Sequence, residues 1–161
     1  MSNIESRLAA MGLALPAAMT LPPGVVLPFP WVRVRGRRAF ISGHAAQNPD
    51  GSLAGPLGKV GLDLTVEEAK ANARGIALAI LASLKRELGD LDRVTAWLRV
   101  FGMVNSAPGF THQPAVINGF SELILELWGP ERGAHARSAV GMAELPFRIP
   151  VEIEAEVEID S

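Results

Sequence analysis

The sequence predicts an α+β domain, and three observations carry the prediction. From Pro150 to Ile159 the chain alternates without a break. Val151, Ile153, Ala155, Val157 and Ile159 share one face, and Glu152, Glu154, Glu156 and Glu158 share the other. A period of two is the strand period. Thr65-Val-Glu-Glu68 reads as a capping box, Thr65 and Glu68 each satisfying the other's backbone N–H. An apolar stripe then runs through Ala69, Ala73, Ile76, Ala77, Ile80, Leu84 and Leu88 at helical spacing until Gly89 ends it. Finally, the elements follow one another as hairpin, helix, strand, helix, hairpin, an α+β order with no internal repeat.

Taken in order, residues Ser2 to Gly12 predict a short amphipathic helix. Ile4, Leu8 and Met11 recur at helical spacing, Ser2 is its cap and Gly12 its stop. The Pro-rich segment from Pro16 to Pro30 is extended connector. Trp31 to Gly43 predicts a tight hairpin turning at Gly36, with Val32 and Val34 set against Arg33 and Arg35. These arginines, with Arg37 and Arg38, solvate an exposed face or blunt an edge strand. A nucleic-acid patch would add interleaved aromatics and a basic global balance. Gly51 to Gly61 is a glycine-rich loop but not a phosphate loop, because Gly58-Lys59 is followed by Val60 rather than Ser or Thr.

A central strand is expected from Val94 to Val104, apolar on both faces. Val94, Ala96, Leu98 and Val100 lie on one side, Trp97, Phe101 and Met103 on the other, with Arg99 the exception. After the Asn105–Phe110 loop, a second helix is expected from Gln113 to Trp128, with Pro114 in its first turn and Gly129 beyond its end. Ile117, Phe120, Ile124 and Leu127 form its stripe. The strand His135–Met142 and the alternating last strand are then expected to pair as a C-terminal hairpin through Glu144–Pro150. Two helices cover one face of such a sheet. An uncovered apolar second face usually belongs to another subunit, so an obligate homo-oligomer is expected, with any cleft between subunits.

Composition narrows the chemistry. One domain suits 161 residues, and a net charge of −2 gives no pull toward nucleic acid. The chain has no cysteine, which excludes disulfides and thiolate chemistry, and no tyrosine, which removes the phenol as an acid. Glu5 and Arg7 interrupt the N-terminus, and no apolar run reaches bilayer length, so a soluble cytoplasmic protein without membrane contact is expected. His44, His112 and His135 form no metal-ligand motif, and no metal or cofactor is expected. Neither Ser42 nor Ser138 sits in G-x-S-x-G, against a serine hydrolase. Arg137 has two readings from the residues alone. It is a surface partner for a neighbouring glutamate, or a planar fork that grips a carboxylate. Glu152 is one of four acids on a single strand face.

Ile41-Ser-Gly43, Leu91-Asp-Arg-Val94 and Ala136-Arg-Ser-Ala-Val140, followed by Leu145-Pro146 and Val151-Glu-Ile-Glu-Ala155, resemble the Rid family. These are the reactive imine and enamine deaminases, also called YjgF-like or L-PSP endoribonuclease-like. The resemblance covers residues 21–161. It leaves residues 1–20 as an N-terminal helical extension that marks a divergent branch. It implies a chorismate-mutase-like fold with a mixed sheet and two main helices on one face. It also implies a homotrimer with its sheets inward and three clefts between subunits. By the same resemblance, Arg137 binds the carboxylate of a small 2-imino or enamine acid, Glu152 helps place the hydrolytic water, and Ser42-Gly43 lines the pocket.

Departures from the family pattern bear on substrate. The family's tyrosine after proline is Phe29, its glutamine after Ser-Gly is His44, and its cysteine two places after the arginine is Ala139. His44 and His135 are candidates to restore polarity to the cleft, as neutral hydrogen-bonding groups or proton shuttles. Asn118, a polar residue among apolar neighbours on the second helix, faces the cleft or satisfies groups at a subunit contact. The expected function is hydrolytic deamination of a small carboxylic-acid metabolite without cofactor. The alternatives are a non-catalytic carboxylate-binding trimer and, behind it, a ribonuclease.

Overall fold

The computed structural model describes residues 3–161. The elements are α1 (Asn3–Ala10), β1 (Val32–Arg35), β2 (Arg38–His44), α2 (Val66–Leu88), β3 (Val94–Asn105), α3 (Gln113–Arg132), β4 (Ala136–Met142) and β5 (Val151–Ile159). Both halves of the Thr65–Glu68 capping box are made, and Gly89 closes α2. α3 is broken at Gly129 (φ 79°, ψ 175°), so its regular part ends at Trp128 as expected and Pro130 opens a last turn. The Ser2 cap expected for α1 lies outside the described residues. Asp92 instead accepts the backbone N–H groups of Asn3 and Ile4 at 2.6 and 3.0 Å. Ile4 and Leu8 are buried with the main core, so α1 docks as part of it.

The sheet has five strands in the order β1-β2-β5-β3-β4. β1 and β2 form the expected hairpin, with Gly36 at φ 59° in the turn, where a side chain would be strained. The C-terminal hairpin does not form. β3 lies between the two C-terminal strands, antiparallel to β5 and parallel to β4. The period of two identified both strands, but it carries no information on their neighbours. β3 is interior and so takes a strand on each side, but the centre of the five is β5, which corrects the central place expected for Val94–Val104.

All five apolar residues of β5 are buried beneath α2 and α3, as the alternation predicts. β3 departs from simple alternation. Its register against β5 shifts between Val94 and Ala96 and again between Trp97 and Arg99. Each extra residue reverses the in–out parity beyond it. Trp97 is therefore packed under the helices, its ring 5.8 Å from Phe120 and 5.4 Å from Trp128, and not on the open face. The open face is consequently less apolar than expected. Phe40, Arg99, Phe101, Glu154 and Glu156 line a shallow depression of about 270 Å³ on it. At its other end, Leu145 and Ile149 from the loop before β5 cover Met103.

Candidate functional site

Two clusters hold the residues singled out from the sequence. The first is built on the edge strand β4. Arg137 stands opposite Val100, whose side chain is in the core, so the guanidinium is directed to the helix layer. Asn118 and Ser121 are three apart on α3 and present one face to it. Nη1 of Arg137 donates to Asn118 Oδ1 at 2.8 Å and to Ser121 Oγ at 3.1 Å, and Nη2 reaches the Pro114 carbonyl at 3.5 Å. Both Nη1 hydrogens are thus used. The fork left for a carboxylate is the Nε–Nη2 side of the guanidinium. Among the described residues no carboxylate lies within 4.0 Å of Arg137.

His135 joins this cluster through Ser121. Its Nδ1 lies 2.7 Å from the Gly133 carbonyl and its Nε2 2.8 Å from Ser121 Oγ. A carbonyl only accepts, so Nδ1 carries the proton and Nε2 accepts from the serine hydroxyl. Burial pushes the His135 pKa down, outweighing the Gly133 bond, and the Arg137 cation acts in the same direction. Burial also lowers the pKa of Arg137 itself, but a guanidinium remains charged. Ser121 was not foreseen. Its one sequence signal is the three-residue spacing from Asn118.

The second cluster lies where β2 meets β5. The pairing passes from Ile41–Ala155 to His44–Ile153, so Ser42 and Gly43 together oppose one residue, Glu154. This bulge turns His44 inward. His44 is 2% exposed, Nδ1 is 2.6 Å from the Ser42 carbonyl, and Nε2 is 2.8 Å from Ser83 Oγ. Burial lowers its pKa to about 4, against the opposing Ser42 bond and with help from Arg86. Both ring nitrogens of His44, expected to line the cleft, are engaged inside the protomer. Trp31 packs on its ring at 4.9 Å and meets exposed Phe29 edge-on at 5.9 Å. The Ser42 hydroxyl donates to the Pro30 carbonyl at 2.8 Å.

Glu152 lies against Gly43 so closely that a β-carbon there would collide with its carboxylate. Only glycine permits this approach. Burial, and then the neighbouring Glu154 charge, raise the Glu152 pKa. The two clusters stay apart within one protomer. Glu152 pairs with Met103 on the open face, while Arg137 faces the helices two strands away. Standard strand spacings put their Cα atoms about 14 Å apart.

The geometry can be set beside known proteins. A family model described as "YjgF/chorismate_mutase-like, putative endoribonuclease" matches residues 5–150. The chain belongs to the YjgF/Rid-like family. Protein TCP17 of Trypanosoma cruzi is 40% identical over 159 residues, spanning 99% of this chain and 96% of that one. The crystal structure of Atu1372 from Agrobacterium tumefaciens, a protein of unknown function, superposes with a TM-score of 0.86. It is 40% identical, with 98% of this chain and 92% of that chain covered. A "putative endoribonuclease" from Shewanella oneidensis MR-1 superposes with a TM-score of 0.85 at 30% identity, with 97% and 99% covered. The fold is thus the YjgF/chorismate-mutase-like one, a mixed five-stranded sheet with three helices. The YjgF-like match begins inside α1 and takes in the whole Arg137 cluster, whereas Glu152 lies just beyond its last residue.

Proposed function

We propose that this YjgF/Rid-like chain is a hydrolytic deaminase of small 2-imino or enamine carboxylic acids, working at clefts between the subunits of a homotrimer. The observation that carries the reading is Arg137. It is a part-buried guanidinium held by neutral acceptors, with one bidentate face free and no carboxylate partner among the described residues. Such a group suits a substrate carboxylate docked side-on. Water then adds to the C=N carbon, forming a C–O bond as the π pair moves to nitrogen. The C–N bond of the carbinolamine breaks to give the keto acid and ammonia. An enamine enters this path after protonation at carbon to the imine.

Glu152 suits the proton transfers. A carboxyl with a raised pKa accepts a proton from the attacking water and returns it to the leaving nitrogen. Its distance from Arg137 within one protomer is why the proposed cleft needs a neighbouring subunit. Orientation and exclusion of bulk water supply the rest of the acceleration. The test is to generate 2-aminoacrylate or 2-iminobutanoate in situ and follow keto-acid release. The wild type should accelerate it and Arg137→Ala should not. A wild type without effect overturns the reading for those substrates.

A second reading, a trimer that binds small carboxylates without turning them over, is favoured by Phe29. It leaves the pocket without a phenol, and His44 is engaged internally. Arg137-dependent carboxylate binding without turnover would establish it. The ribonuclease reading, carried by the name of the Shewanella relative, requires RNA cleavage that Arg33→Ala/Arg35→Ala abolishes.

A further inference from the structure

Beneath the Ser42-Gly43 bulge, α2 contributes two polar side chains that the proposed chemistry does not use. Ser83 is 5% exposed on a helix face whose other buried polar residue is Asn72, three turns away, and Arg86 stands one turn further on. A buried mid-helix hydroxyl needs a partner, and Ser83 has two. Arg86 Nη2 lies 3.0 Å from Ser83 Oγ, and Ser83 Oγ lies 2.8 Å from His44 Nε2. The direction of each bond follows from elementary chemistry. The Ser42 carbonyl only accepts, so His44 Nδ1 carries the proton at 2.6 Å. The neutral ring's Nε2 must then accept, so Ser83 donates to it. The Ser83 oxygen is left to accept from Arg86, which only donates. The chain runs one way, from the Arg86 cation to the Ser42 carbonyl.

We infer that Ser83 and Arg86 are positioning residues which, through His44, hold the Ser42-Gly43 backbone against Glu152. The inference rests on the deaminase reading for its catalytic consequence, but not for its structural one. Gly43 is packed against the Glu152 carboxylate, and its neighbour's carbonyl is what the chain grips. Without the Ser83 hydroxyl, His44 Nε2 loses its donor, and the ring is held by the Ser42 carbonyl alone. The bulge then relaxes and water reaches Glu152. Arg137 sits on a different strand with its own partners, so carboxylate binding is untouched.

The experiment compares Ser83→Ala, Ser83→Thr and Arg86→Met with the wild type. It reads the His44 Nδ1–H bond to the Ser42 carbonyl by proton and nitrogen-15 NMR, the Glu152 titration by carboxyl carbon-13 NMR, and turnover of 2-iminobutanoate. Ser83→Ala should loosen the His44 ring, weakening its Nδ1–H bond to the Ser42 carbonyl, and move the Glu152 pKa down toward the ordinary carboxylate range. It should lower kcat about tenfold to a hundredfold with KM unchanged. Arg86→Met should do so more weakly, and Ser83→Thr should restore all three. An unchanged Nδ1–H signal and Glu152 titration in folded Ser83→Ala overturns the inference. If the wild type turns nothing over, the deaminase reading fails while the two NMR readouts still decide the role of Ser83.

Discussion

His44 makes the protein sensitive to acid. The ordinary histidine value of 6.5 falls to about 4 in the fold. Between those values the unfolded chain binds a proton that the native state refuses, so stability is full above about pH 6.5 and is lost as pH falls toward 4. The loss is on the order of 3 kcal/mol. His44→Gln should be less stable at pH 7, because two buried hydrogen bonds change. Its stability should also fall less than that of the wild type between pH 6.5 and 4, with His135, whose pKa burial also lowers, keeping part of the slope. Denaturant melts at several pH values check this. Glu152 has the opposite linkage. Its carboxyl pKa is raised, so its contribution is present below the ordinary value of 4.5 and lost as pH rises through the folded value. Glu152→Gln should therefore melt higher than the wild type at pH 7.5, with the gap closing below about pH 4.5. At this scale the sequence was partly legible. Asn118 bonds the Arg137 guanidinium directly, His135 reaches it only through Ser121, and Gly43 touches Glu152. Ser121, Ser83 and Arg86 were not legible, because their partners lie on other elements and no spacing encodes such a meeting.

At the scale of elements, what could be read locally was read correctly, and what depends on pairing was not. The Thr65 capping box, the Gly89 stop and the β5 alternation are determined within a few residues, and the structure has each of them. Bulges are not determined that way. An unpaired residue exists only relative to a partner strand, so the reversals at Trp97 and His44 had no mark in the one-dimensional pattern. The same blindness made a hairpin of β4 and β5. α1 shows the reverse case, a helix whose cap comes from far along the chain. Asp92 accepts two of its first backbone N–H groups, and the Arg7 guanidinium donates to the Leu127 carbonyl. Asp92→Ala should cost about 1 kcal/mol and lower the melting temperature by about 2–4 °C. Loss of amide protection confined to α1 in hydrogen exchange would show that the cap is what was lost.

At the scale of the whole molecule, the separation of Arg137 and Glu152 is the decisive fact. They face opposite sides of the sheet, with β3 between their strands, so rotamer changes cannot bring them together. A site that uses both must take one from each of two subunits, and that can be tested without seeing the interface. The wild type should run in solution at three times 17.1 kDa. Arg137→Ala and Glu152→Gln should each be inactive alone. If the two variants are unfolded together and refolded at equal concentration, most trimers will be mixed. In a three-fold ring each mixed trimer contains one junction where an intact Arg137 meets an intact Glu152. About a quarter of wild-type activity should then return. Sites confined within one subunit would regain none, because every chain carries one of the two lesions. Activity that returns on mixing therefore measures how the sheet's two faces are joined across the interface, with the separately refolded variants as the baseline.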